Sequence, residues 1–158
     1  MALSNNLLKT DKFYMTRALE LAAQAGAAGE VPVGALVVRD GQVIGEGYNQ
    51  PISAIDPTAH AEIVAMRNAA AHIGNYRLID CDLYVTIEPC TMCVGAMIHA
   101  RVQRVIFGAK EPRAGALASQ LQLMENKHFN HVIEWRGGLM EKDCGDLISD
   151  FFRRKRGK

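Results

Sequence analysis

The run Val33-Gly34-Ala35-Leu36-Val37-Val38-Arg39-Asp40-Gly41-Gln42-Val43-Ile44-Gly45-Glu46-Gly47-Tyr48-Asn49 contains two β-rich segments, 33–39 and 42–49, joined by Asp40-Gly41. That dipeptide suits a type I′ turn, whose two central residues both take positive φ, so the run predicts an antiparallel hairpin. Ahead of it, Met15, Ala18, Leu19, Ala22 and Ala25 recur at helical spacing, with Thr10 or Asp11 as cap and Gly26 and Gly29 as terminators. After it, Pro51, Ser53, Asp56 and Pro57 read as a loop leading into a helix over 59–73, ended by Gly74-Asn75. Residues 81–87 alternate as a strand. Pro89 opens a short helix over 90–99 that is apolar almost all round, and 102–107 reads as a buried strand. A charged link, an amphipathic segment near 119–125, a short strand near 131–135 and a last helix from about 139 complete the chain.

This order, α-β-β-α-β-α-β-α-β-α, predicts an α/β fold: a three-layer α/β/α domain with a five-stranded mixed sheet and an antiparallel hairpin at its start. The expectation is one domain over 1–158 with a basic helix end at 151–158. At 158 residues such a chain buries roughly 68 to 70% of its unfolded surface, a core that needs no disulfides. No stretch approaches the roughly 18 uncharged apolar residues of a membrane span, and no basic flank followed by an apolar block marks a secretory signal. A cytoplasmic, reducing environment is therefore expected, and there four cysteines serve as metal ligands, catalytic groups or small hydrophobes.

The net charge of +1 argues against nucleic-acid binding by bulk charge, yet it conceals a gradient. Residues 1–100 carry 6 Lys/Arg against 10 Asp/Glu, and residues 101–158 carry 12 against 7. Phe151-Phe152-Arg153-Arg154-Lys155-Arg156-Gly157-Lys158 contains five cations and no acid. Such an end permits a polyanionic partner, and equally suits the negative end of a helix dipole.

Two helix starts concentrate the chemistry. His60-Ala61-Glu62 opens one helix and Pro89-Cys90-Thr91-Met92-Cys93 opens the next. Cys90 and Cys93, three apart in a first turn, share a face near free backbone N–H groups, which favour thiolates. His60 and Glu62, two apart, converge on one object only if it lies off the end of their helix. One nitrogen and two sulfurs suit tetrahedral zinc with a fourth position open. Cys81 lies at the far end of its strand from Cys90, roughly 20 Å away at about 3.3 Å per residue, too far to close the site. Cys144, His72, His99, His128 and His131 have no second ligand at metal spacing. The remaining readings of Cys-x-x-Cys are a structural zinc knuckle or a redox pair; Glu62 and the open position favour a catalytic Zn2+ that activates water, with Glu62 as proton shuttle.

His60-Ala61-Glu62 followed by Pro89-Cys90-x-x-Cys93 resembles the signature of the zinc-dependent cytidine and deoxycytidylate deaminase superfamily. Within it, Glu30-Val31-Pro32-Val33-Gly34-Ala35, Gly45-Glu46-Gly47-Tyr48-Asn49, Asp56-Pro57-Thr58-Ala59-His60, Asn75-Tyr76-Arg77-Leu78-Ile79-Asp80 and Ser149-Asp150-Phe151-Phe152-Arg153 resemble the bacterial tRNA-specific adenosine deaminases, over nearly the whole chain. The resemblance implies hydrolytic deamination of a wobble adenosine to inosine in a tRNA anticodon stem-loop, chiefly of an arginine tRNA, by a homodimer. It implies one zinc per subunit on His60, Cys90 and Cys93, with Glu62 as catalytic acid and base. Asn49, Ala61 through its backbone N–H, Val33, Phe152 and Arg153 would contact the substrate, because an extruded base is read by edge contacts and stacking. The chain departs from the family at Glu111 in Lys110-Glu111-Pro112-Arg113, where aspartate is usual, and Gly115-Ala116-Leu117-Ala118-Ser119 lacks a glycine often found there. Two other functions remain open: deamination of a free base of the guanine or cytosine type, and a zinc-stabilised RNA-binding module without catalysis.

Overall fold

The structure is a computed structural model that describes residues 2–157; Lys158 of the basic end lies outside it. Helix α1 (Ala2–Ala27) precedes the hairpin β1 (Gly34–Arg39) and β2 (Gln42–Tyr48). There follow α2 (Pro51–Ala54), α3 (Ala61–Ile73), β3 (Asp82–Ile87), α4 (Thr91–Ala100) and β4 (Arg104–Ala109). A single 3-10 turn (Leu123–Glu125), β5 (Glu134–Arg136) and α5 (Glu141–Arg156) end the chain. The five strands form one sheet in the order β2-β1-β3-β4-β5, with β1 antiparallel to both neighbours and β3, β4 and β5 parallel.

The hairpin forms as expected: Arg39 pairs with Gln42, and Asp40 and Gly41 take φ of 50° and 73°. Both faces of the sheet are covered, which is why β1, β3 and β4 are buried at nearly every consecutive residue. Ala35, Val37, Leu83, Val85, Val105 and Phe107 pack on one face with α3 and α4. Leu36, Val38, Tyr84 and Ile106 pack on the other with Tyr14, Met15, Ala18 and Leu21 of α1 and with Cys144 of α5. The result is the α/β/α sandwich that the alternation of elements predicts.

Four local expectations are corrected. Helix α1 begins at Ala2, eight residues before Thr10, whose Oγ1 donates to the Asn6 carbonyl inside the helix and does not cap its start. Asp11 is no cap: it is fully buried and accepts from Tyr84 Oη at 2.6 Å, Arg104 Nη2 at 2.9 Å and Arg136 Nη2 at 2.9 Å, tying α1 to β3, β4 and β5. The loop read at 51–57 contains α2, and the amphipathic segment near 119–125 shrinks to one 3-10 turn. The last strand is three residues, displaced to Glu134–Arg136, where it can pair with Arg104–Ile106.

Candidate active site

The site lies where α3 and α4 begin. His60 is the residue before α3, with extended backbone (φ −71°, ψ 153°), and Cys90 stands in the same relation to α4 (φ −81°, ψ 175°). Because His60 stands outside its helix, its ring is free of the helical geometry that would separate it from Glu62. His60 Nδ1 is 3.6 Å from Cys90 Sγ and 3.6 Å from Cys93 Sγ. A tetrahedral zinc with Zn–S of about 2.3 Å and Zn–N of about 2.0 Å places nitrogen and sulfur about 3.6 Å apart, so the donor set fits that ion. Among the described residues these three side chains form the metal-ligand cluster, with all ligand atoms within 4.8 Å of one another. The three ligands expected from sequence are thus brought together, and Cys81 and Cys144 stand elsewhere in the core.

The two thiols are set apart: the hydrogen bond to Cys90 and burial push the Cys93 thiol up, while Cys90 is held as the thiolate. The Cys90 thiol is lowered to about 4, chiefly by the hydrogen bond from Cys93 and further by that from His60, against the cost of burial. Hydrogen bonding to Cys90 raises His60. Glu62, in the first turn of α3, is 3% exposed, and burial pushes its carboxyl above the usual carboxylate range. A buried carboxyl held next to three metal ligands is placed to exchange protons with whatever occupies the open coordination position.

Beside this centre, the expected substrate contacts are linked to one another. Asn49 N donates to the Val33 carbonyl at 3.0 Å, and the Ala61 N–H donates to Asn49 Oδ1 at 2.8 Å. The Ala61 N–H is therefore engaged by Asn49, whose Oδ1 is spent on that bond, and the amide NH2 is the part of the Asn49 side chain left to donate elsewhere. Val33 and Ala61 are buried, at 4% and 0% exposure. Phe151 packs inward, while Phe152 is exposed and Arg153 pairs with Asp150 at 3.0 Å on the surface of α5.

Three features escaped sequence reasoning. Glu30 is buried and accepts from Ser53 N and Ser53 Oγ at 2.8 Å and from Ile52 N at 3.2 Å, bracing α2 beside Asn49. Gly45 and Gly47 let α3 lie directly on β2; a Cβ at Gly47 would stand 2.6 Å from the Ala61 carbonyl and from Ala65 N. Glycines at alternate positions of a strand are the signal for such an approach. Glu88, just ahead of Pro89, accepts five hydrogen bonds from the segment after β4.

This fold and donor set define a zinc-binding deaminase domain, and the chain belongs to the cytidine and deoxycytidylate deaminase family, whose zinc-binding region matches residues 8–109. More particularly, it is 48% identical over 147 residues to the tRNA-specific adenosine deaminase of Haemophilus influenzae, covering 92% of this chain and 85% of that protein. It superposes with a TM-score of 0.83 and 40% identity on a structure from a study of A-to-I editing by tRNA:A34 deaminases, covering 85% of this chain and 98% of that one. The guanine deaminase of Nitrosomonas europaea shares the fold at a TM-score of 0.78 and 26% identity, covering 89% of this chain and 83% of that one.

Proposed function

We propose that this protein hydrolyses the wobble adenosine of a tRNA anticodon to inosine and ammonia, with an arginine tRNA as the principal substrate. The observation that carries the reading is the buried Glu62 carboxyl beside the His60, Cys90 and Cys93 donor set. The similarity to tRNA-specific adenosine deaminases over 92% of the chain selects tRNA among the substrates such a centre can serve.

The chain's own residues divide the work. His60 Nδ1 and the two sulfurs hold the metal; when bound, zinc supplies a Lewis acid that makes water nucleophilic near neutral pH. Glu62 takes a proton from the attacking water and delivers it to N1 of the adenine ring as the water oxygen bonds to C6. It then takes the remaining proton of that hydroxyl and passes it to the amino group, which leaves as ammonia when the C6–N bond breaks. Its burial, which raises its proton affinity, suits a group that must hold a proton between two transfers. Asn49 orients the base edge through its amide, and Val33 walls the pocket. Phe152 offers a stacking surface and Arg153 a phosphate contact once drawn from Asp150.

The protein acts as a homodimer in this reading. Ile52 and Ile55, 69% and 91% exposed on and just after α2, offer apolar surface close to Asn49. A tRNA substrate places the enzyme in the cytoplasm, and among the described residues no helix is long and apolar enough to cross a membrane. The deciding experiment supplies the zinc-loaded protein with an arginine-tRNA anticodon stem-loop beside free adenosine, cytidine and guanine. Inosine in the stem-loop alone is expected; turnover of a free base with none in the loop would overturn the tRNA assignment.

A further inference from the structure

Glu88 lies between the end of β3 and Pro89 and is 2% exposed. Buried carboxylates are ordinarily compensated by a cation. Here the compensation is backbone. Oε2 accepts from Leu117 N at 3.2 Å, Ala118 N at 2.7 Å and Ser119 N at 2.9 Å, and Oε1 accepts from Glu111 N at 3.1 Å and from Ser119 Oγ. All five donors belong to the 111–119 segment.

The same segment is fastened to the zinc turn by its own backbone. Ala116 N donates to the Pro89 carbonyl at 2.9 Å, and Gly115 forms an isolated β-bridge with Cys90. Gly115 is a glycine for want of room: a Cβ there would fall within the Glu88 carboxylate. Lys110 and Arg113 of the segment are exposed. Glu111, the departure from the family's aspartate, turns back to accept from Arg113 N at 2.9 Å and so shapes the turn that carries Arg113.

We propose that Glu88 is the positioning residue of the 110–119 segment. Its carboxylate gathers the backbone of that segment against the Cys90 turn, so that Lys110 and Arg113 stand beside the zinc site and meet the phosphates flanking the target base. The phosphate contact rests on the tRNA reading; the gathering of the segment does not. Glu88 stands outside the His60, Cys90 and Cys93 cluster and its carboxylate is engaged by the 111–119 segment, so its influence on the reaction passes through the loop.

The test pairs Glu88→Gln, which puts an amide NH2 where N–H donors converge, with Ser119→Ala, which deletes one donor and leaves the fold intact. Both are assayed as zinc-loaded protein by hydrogen exchange and by steady-state kinetics on the stem-loop. Exchange in 110–120 rises by about tenfold in Glu88→Gln and by less in Ser119→Ala, because hydrogen bonds to a charged group are lost. KM for the stem-loop rises by about tenfold in Glu88→Gln while kcat moves less. Unchanged exchange in both variants, or a fall in kcat at unchanged KM, overturns the proposal. Exchange is measured without RNA, so a wild-type protein inactive on the stem-loop refutes the tRNA reading alone and leaves the positioning role to be judged by exchange.

Discussion

Gly47→Ala connects the packing of the sheet to the chemistry most directly. A Cβ at Gly47 would lie 2.6 Å from the carbonyl of Ala61 and from Ala65 N, both backbone atoms in the first turns of α3. Restoring the 3.4 Å of ordinary van der Waals contact moves α3 away from β2 by 0.8 Å. Backbone cannot rotate aside as a side chain can, so overpacking here destabilises by about 2 kcal/mol. In a protein of this length that lowers Tm by roughly 4 to 8 °C. The larger effect is on turnover, because the displaced turn carries His60 and Glu62, and a misplacement of about 1 Å at reacting groups costs about 100-fold. The assay is inosine formation per bound zinc on the stem-loop, with thermal unfolding followed in parallel. Gly41→Ala is the control: φ is +73° with open space around it, so it strains the turn by about 1 kcal/mol and touches nothing near the site. The reasoning is refuted if Gly47→Ala keeps wild-type turnover per zinc, or if Gly41→Ala loses as much.

Glu62→Ala retains zinc by elemental analysis but loses at least about 100-fold in kcat, the scale of one acid–base group; near-normal turnover would remove Glu62 from the proton path. Asp11→Ala leaves Tyr84 Oη and the Arg104 and Arg136 guanidinium groups short of an anion in a buried network, and urea unfolding should show a loss of about 3 kcal/mol. Although burial pushes Glu30 up, hydrogen bonds from Ser53 and Ile52 bring it below the usual carboxylate value. Its stabilisation is therefore complete above the unfolded pKa of about 4.3 and fades as pH falls through the native value, so Glu30→Gln flattens the acid-side decline in stability. An acid limb of unchanged steepness would contradict that. Replacing Arg153, Arg154, Lys155 and Arg156 together by Ala should weaken stem-loop binding and reduce the slope of log K against log salt by about 0.7 for each phosphate no longer neutralised. An identical slope would make these cations a solvated helix end.

Much of this protein is local enough to be written in its sequence. The Asp40-Gly41 pair demands positive φ at two consecutive residues, and the alternation of helix and strand signals admits few sandwiches besides the one formed. The cluster of side chains able to hold a metal was legible because its spacing is itself geometry: Cys90 and Cys93 lie within one turn, and His60 stands at a helix end. Where the reading slipped, a tertiary contact outweighed a local preference. Asp11 has a good capping side chain, yet three donors from other elements hold it within the core.

Tertiary structure alone decided how the parts are braced. Nothing local distinguishes Glu88 from an ordinary acid before a proline, because its donors come from residues 23 to 31 positions later, converging only once β4 has paired with β3. Glu30 finds Ser53 in the same way, 23 residues on. Asn49 and Ala61, each readable as a substrate contact, meet each other only because Gly45 and Gly47 let α3 settle on β2. Sequence spacing determines which atoms can hold a metal, since those atoms lie within a turn or at helix ends; the position of the walls around it depends on hydrogen bonds between segments that only the folded sheet brings together.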